Sequence, residues 1–114
     1  MFSSCDLETT DIYQYHIDYV EGNGQGAQLI LDYATTKGVV TGTRSFTSQT
    51  TRDNDNKALD LFDENAAKFK RSELKELLSG RSWINDSRVV FYYVVESGPD
   101  FYEEQRYIID PALW

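Results

Sequence analysis

Over Asp11–Glu21 the chain alternates with period two. Tyr13, Tyr15, Ile17 and Tyr19 fall on one side, and Gln14, His16 and Asp18 on the other. Strict alternation of aromatic and β-branched residues with polar ones predicts a half-buried strand. Gly22-Asn23-Gly24-Gln25-Gly26 reads as a turn cluster. Ala27–Ala34 reads as a second strand, with Leu29, Leu31 and Tyr33 alternating. A turn over Thr35–Gly38 leads to a third, weaker strand over Val39–Thr47, in which Gly42 marks a bulge. The period then changes: over Lys57–Phe69, residues Leu59, Leu61, Phe62, Ala66 and Phe69 recur at near-helical spacing, with caps supplied by Asp53–Asn56. Ser72–Ser79 predicts a second, short helix or a continuation of the first, with Ser72 as its cap, Leu74, Leu77 and Leu78 as its stripe and Gly80 as its stop. Strand character returns at Arg88–Glu96, apolar on both faces and therefore central. Phe101–Asp110 pairs back as a hairpin across the Ser97–Asp100 turn, and an apolar tail, Ala112-Leu113-Trp114, follows Pro111.

The predicted order is β-β-β-α-α-β-β. It implies one α+β domain over residues 1–114: a five-stranded antiparallel sheet with helices packed on one face. At 114 residues and 40% apolar content the chain is long enough for one core without covalent staples. Residues 1–10 are poor in apolar side chains and read as a flexible lead.

Charge refines this picture. The net charge is −8, from 19 acids and 11 bases, and it is unevenly spread. Met1–Thr36 holds six acids and no Lys or Arg; Lys37–Arg81 holds nine bases and seven acids; Ser82–Trp114 holds six acids and two bases. The general account of such a surface is solubility; the specific one is a negative face for a basic partner. Cys5 is the only cysteine, which excludes an internal disulfide and suits a reducing compartment. The first residues show neither a basic nor an apolar signal region, and no run is apolar enough to span a membrane, so the expectation is a cytoplasmic protein without membrane contact.

Residues suited to catalysis are sparse. His16 stands alone, mid-strand, where a solvent-side histidine is usually inert. Cys5 sits among Asp6 and Glu8, whose charge opposes a reactive thiolate. Gly22-x-Gly24-x-Gly26 resembles a phosphate loop, but such a loop needs a helix directly after it, and the pattern there reads as strand. Asp53-x-Asp55 with Glu64 imitates a calcium loop, yet Lys57 and Ala58 occupy positions that need an oxygen ligand and a glycine. Glu103 and Glu104 are adjacent and point to opposite faces, so they form no dyad. Lys68, Lys70, Arg71, Lys75 and Arg81 cluster without interleaved aromatics, which favours a solvated helix face over a nucleic-acid site. These residues predict no catalytic centre, no metal, no cofactor and no direct nucleic-acid binding.

Eight tyrosines remain. Tyrosine is common in strands, and it is also enriched where proteins bind proteins, because it offers a large rigid surface with a polar tip. Tyr13, Tyr15, Tyr19 and Tyr33 read as core, and Tyr92 and Tyr102 as outer-face residues. The candidate partner-binding set is His16, Asp18, Asp32, Tyr92, Tyr102, Glu104 and Arg106, on an acidic, aromatic outer face. In size and acidity the chain resembles small inhibitors such as immunity proteins and phage anti-defence proteins, a resemblance of composition that transfers no residue. The element order also resembles acidic type III secretion chaperones, whose terminal helices have no counterpart here. The leading expectation is a non-enzymatic inhibitor that occludes a basic surface of a partner protein, such as a nuclease or another nucleic-acid-binding protein. Two alternatives are a small-ligand binder or minor enzyme using an aromatic-lined sheet pocket, and a chaperone-like adaptor or structural subunit. The sequence leaves the oligomeric state open.

Overall fold

The computed structural model describes residues 8–21, 24–79, 88–96 and 103–110. Seven elements follow in order: β1 (Thr9–Glu21), α1 (Gly24–Lys37), β2 (Gly42–Ser48), α2 (Thr51–Ala66), α3 (Arg71–Leu78), β3 (Arg88–Val95) and β4 (Glu103–Ile109). The four strands form one antiparallel sheet in the order β2-β1-β3-β4. The class is α+β, as the sequence predicts, but the sheet has four described strands rather than five, and three helices rather than two.

The difference lies at Ala27–Ala34, which is helical. Leu29, Leu31 and Tyr33 do alternate, but Ala27, Ile30 and Ala34 recur at intervals of three and four, and these are the residues buried in the core. Leu29 and Tyr33, one turn apart, pack against them, while Leu31 lies outside the core formed by the described residues. Local bonds of helical spacing reinforce the element: Gln28 Nε2 donates to Asp32 Oδ1 at 2.9 Å, and the Thr35 and Thr36 hydroxyls donate to the carbonyls of Leu31 and Asp32. Gly38, with φ of +76°, ends α1. Its N–H bonds the Thr35 carbonyl and the Val39 N–H bonds the Ala34 carbonyl, the paired pattern of a Schellman cap.

The remaining boundaries move by smaller amounts. β2 begins at Gly42, whose φ of +92° turns the chain into the sheet edge. α2 starts six residues before the expected Lys57, capped by Thr50, whose hydroxyl accepts from the Asp53 N–H at 3.1 Å. The gap between Thr47 and Lys57 implied by the predicted bounds therefore shrinks to Gln49 and Thr50. α3 is preceded by Lys70 rather than capped by Ser72. In place of a local cap, the Tyr33 hydroxyl on α1 accepts from the Lys70 N–H at 3.1 Å and donates to Glu73 Oε1 at 2.8 Å. Lys37 closes the group with an ion pair to Glu73 at 2.7 Å. The pair and the hydrogen bond hold Glu73 below the usual carboxylate range and Lys37 above its ordinary value.

The helices lie on one side of the sheet. Tyr13, Tyr15, Val89, Phe91, Tyr93, Val95 and Ile109 share a core with Ile30 and Ala34 of α1, Ala58 and Phe62 of α2, and Leu74 and Leu78 of α3. Phe62 stacks flat on Phe91, with centroids 5.0 Å apart. Val90 and Val94, on the opposite side of β3, are also buried, so β3 is apolar on both faces, as expected of a central strand. Tyr19, expected in the core, is 46% exposed near the end of β1.

The helical assignment of Ala27–Ala34 makes an ordered pair of expectations. Ile30→Ala should cost about 2–5 kcal/mol in urea unfolding, by leaving a core cavity, and Leu31→Ala less than about 1 kcal/mol. The reverse order would restore the strand.

Candidate functional site: the outer face of the sheet

In an antiparallel ladder, residues directly opposite share a face, so register determines which side chains meet. Opposite the described helices, β1 presents Ile12, Gln14, His16 and Asp18. Their partners across the ladder set out rows: Gln14 lies between Thr43 and Val94, His16 beside Tyr92 and then Arg106, and Asp18 beside Val90 and then Ile108. None of the described helices covers this face.

Its side chains are bonded to one another. The His16 and Tyr92 rings stack with centroids 5.2 Å apart and planes 26° from parallel. The Tyr92 hydroxyl reaches diagonally to Asp18 and donates to its Oδ2 at 2.6 Å. Gln14 Nε2 donates to Thr43 Oγ1 at 2.9 Å, and the Thr10 and Thr47 hydroxyls meet at 2.7 Å. Two isoleucines flank this polar and aromatic row, Ile12 at 39% and Ile108 at 46% exposure. The arrangement is a rigid aromatic patch with a fixed carboxylate and apolar margins. It can offer contact area and hydrogen-bond acceptors, and it converges no nucleophile with a base.

Four of the seven sequence-predicted residues, His16, Asp18, Tyr92 and Arg106, are brought together here. Asp32 is not: because Ala27–Ala34 is helical, it sits exposed on α1, bonded by Gln28. Glu104 lies in β4, where the register shifts, and Tyr102 lies outside the described residues. Sequence reasoning missed Ile12 and Ile108. Ile108-Ile109 carries the signal, since neighbours on a strand point to opposite faces and one of the two must face outward.

The acidity is placed differently from expectation. Within the strands, Asp18 is the outer-face acid whose side chain the structure describes, and Glu96 and Asp110 lie just past the ends of β3 and β4. Four exposed acids instead line α2: Asp53, Asp60, Asp63 and Glu64. The Lys37–Arg81 segment is thus basic on both sides of α2 and acidic along it. Gly24 and Gly26 lie inside α1, so a helix does accompany the glycine cluster, which overturns the reason for setting aside a phosphate loop; no lysine stands beside it in sequence. Asp53 and Asp55 belong to the start of α2. Among the described residues, no three His, Cys, Asp or Glu side chains converge as metal ligands. No helix among them is long and apolar enough to cross a membrane.

The aromatic inner face is filled rather than hollow, because Tyr13, Tyr15 and Phe91 are fully buried, with Phe62 and Phe69 packed on Phe91. A groove of about 280 Å³ lies elsewhere, between α1 and α3, lined by Leu29, Asp32, Tyr33, Thr36 and Leu77. Ligand pockets span about 300–1,000 Å³, so this groove is small for one.

A buried polar seam joins β1 to α2 and holds the outer face in place. Asn54 Nδ2 donates to the buried Asp11 carboxylate at 2.7 Å and to the Thr9 carbonyl at 3.0 Å, while the Ser48 hydroxyl donates to Asn54 Oδ1 at 2.6 Å. The Tyr13 hydroxyl donates to Asp55, and that of Tyr15 to the Ala58 carbonyl at 2.8 Å. Burial pushes both phenols above the ordinary tyrosine range, and Asp55 raises Tyr13 further through its hydrogen bond and charge.

These raised values set a pH dependence. Unfolded tyrosine ionises near pH 10, whereas the folded chain keeps both protons, so their stabilisation is complete below about pH 10 and is lost as pH rises above it. Tyr13→Phe should lower stability by about 1–2 kcal/mol at neutral pH through the lost hydrogen bond. It should also make the decline above pH 10 shallower in urea titrations at constant ionic strength. An unchanged decline would remove Tyr13 from this role.

Comparison with known protein families, curated proteins and solved structures finds no match to this chain.

Proposed function

We propose that this chain is a non-catalytic cytoplasmic binding protein that lays the outer face of its sheet on a basic surface of a partner protein and occludes it. The observation that carries this reading is the bonded row on that face. His16 stacks on Tyr92, Tyr92 fixes Asp18, and exposed Ile12 and Ile108 flank them. Interface centres favour aromatic anchors with few rotors, set in water-excluding apolar surroundings. Here the anchor is already held by its neighbours, so docking costs little side-chain entropy. Asp18 offers an oriented carboxylate to Lys or Arg.

The net charge of −8 supports a basic partner. The acids along α2 contribute field rather than contact: they speed encounter with a positive surface and disfavour acidic competitors. The partner class that fits is a nuclease or another nucleic-acid-binding protein, whose cationic surface otherwise meets phosphate. Inhibition then follows from occlusion alone and needs no reaction.

The test is affinity purification from the source cell with the native chain, with a double variant Tyr92→Ala/Ile108→Glu, and with a control variant Glu76→Ala on the helical side. The expected result is a basic protein held by the native and control chains, lost with the double variant, and associating more slowly as salt rises. Equal recovery with the double variant, or an association rate indifferent to salt, would sink the proposal.

A further inference from the structure

β1 is thirteen residues long, but its two neighbours cover it unequally. β3 pairs with Tyr13 to Glu21, whereas β2 pairs only with Thr9 to Tyr15 and stops at Gly42. Alternate residues of an antiparallel strand address alternate neighbours. The phase is fixed by the Glu96 N–H, which bonds the Ile12 carbonyl at 2.7 Å. Ile12, Gln14, His16 and Asp18 therefore direct their backbone groups to β3. Asp11, Tyr13 and Tyr15 direct theirs to β2, and Ile17 and Tyr19 point the same way, past the end of β2.

The chain that could have continued β2 goes elsewhere. Val39 is buried in the core, and the Val40 N–H is taken by Asn65 Oδ1 of α2 at 2.7 Å. Among the described residues, no strand pairs with Ile17 or Tyr19 on that side. Among the described residues this leaves a short open edge, bounded at one end by Gly42 and at the other by the register shift between Tyr19 and Glu21. Asp18 is exposed in the middle of it, and Tyr19 is 46% exposed.

Charge selects the occupant. A second copy pairing antiparallel, Ile17 against Tyr19, would set Asp18 opposite Asp18, and like charges directly opposite repel. A strand with Lys or Arg at that position would be attracted, and apolar residues on either side would lie against Ile17 and Tyr19. We propose that the edge of β1 from His16 to Tyr19 takes up an extended segment of the basic partner, added as a strand in line with β2, with a cation opposite Asp18. The inference rests on the reading of this chain as a binder of basic proteins and names its mode: strand addition at the edge, beside the face that holds Tyr92. Backbone bonds then supply generic affinity, and Asp18 supplies the choice of sequence.

Amide hydrogen exchange tests it in two steps. In the free chain, the Ile17 and Tyr19 amides should exchange much faster than those of Tyr13 and Tyr15; protected Ile17 and Tyr19 amides would mean that the edge is already taken and would overturn the proposal. A capped peptide, with valines on either side of a central lysine and threonines outside them, is then added at millimolar concentration. It should slow exchange at Ile17 and Tyr19 by about tenfold or more, and the same peptide with a central glutamate should not. Asp18→Lys should invert that preference, and the milder Asp18→Asn should abolish it. Equal response to both peptides, no response to either, or dimerisation of the chain with mutual protection of Ile17 and Tyr19 would each overturn the edge proposal. A peptide that moves the Ile12 and Ile108 resonances while leaving Ile17 and Tyr19 unprotected would do the same, yet leave the outer-face reading standing. The purification from cells tests that reading without using these peptides.

Discussion

A carboxylate on the core side of β1 constrains the rest of the arrangement. Asp11 shares the inward face with Tyr13 and Tyr15 and is buried there. A buried carboxylate is tolerated only where donors meet it, and Asn54 supplies one from the second turn of α2. With Ser48 and Thr9 also bonded to Asn54, the start of α2 is fixed against the paired strands β1 and β2 at atomic spacing. Apolar packing alone tolerates sliding, because dispersion has little direction; a hydrogen-bonded seam does not. Once α2 is placed, Phe62 meets Phe91 and the inward side of the sheet is settled. The outward side, with His16, Tyr92 and Asp18, is its necessary complement.

That division separates two jobs within one strand. The first half of β1 is paired with β2, joined by β3 from Tyr13 onward, and covered by α2 on its inner face. The second half is committed to β3 alone. The aromatic patch, the fixed carboxylate and the open edge all fall in or beside this less constrained half. Asp18 belongs to the patch through Tyr92 and to the edge through its place between Ile17 and Tyr19. The reading as a binding protein thus depends on where the sheet stops as much as on what it displays.

Much of this was legible in the residues. The alternation of β1, the two-sided apolar run of β3 and the shared face of His16, Asp18, Tyr92 and Arg106 follow from a period of two. What was not legible had physical causes. Ala27–Ala34 satisfies both periods at once, and alanine, being small, hardly registers as an apolar stripe; Gly38 as a helix-ending glycine was the better signal. The early start of α2 was hidden because its first buried position is Asn54, a polar residue that a hydrophobic pattern cannot see. The placement of Asp32 failed for the same reason as the second strand, since a residue on a misassigned element inherits its error. The exposed acids of α2 were masked in a segment whose later lysines cancel them in any sum.

The Tyr33 hydroxyl at the start of α3 carries one more consequence, for cooperativity. α3 has eight residues and no side-chain cap of its own, too short to hold a helix alone in water. Its first turn is completed by a phenol on α1, and its Glu73 is held by that phenol and by Lys37 from the same helix. α3 is therefore tied to α1 by polar contacts between residues more than thirty positions apart in sequence. Without α1, α3 would lose these polar partners and keep only its core packing through Leu74 and Leu78.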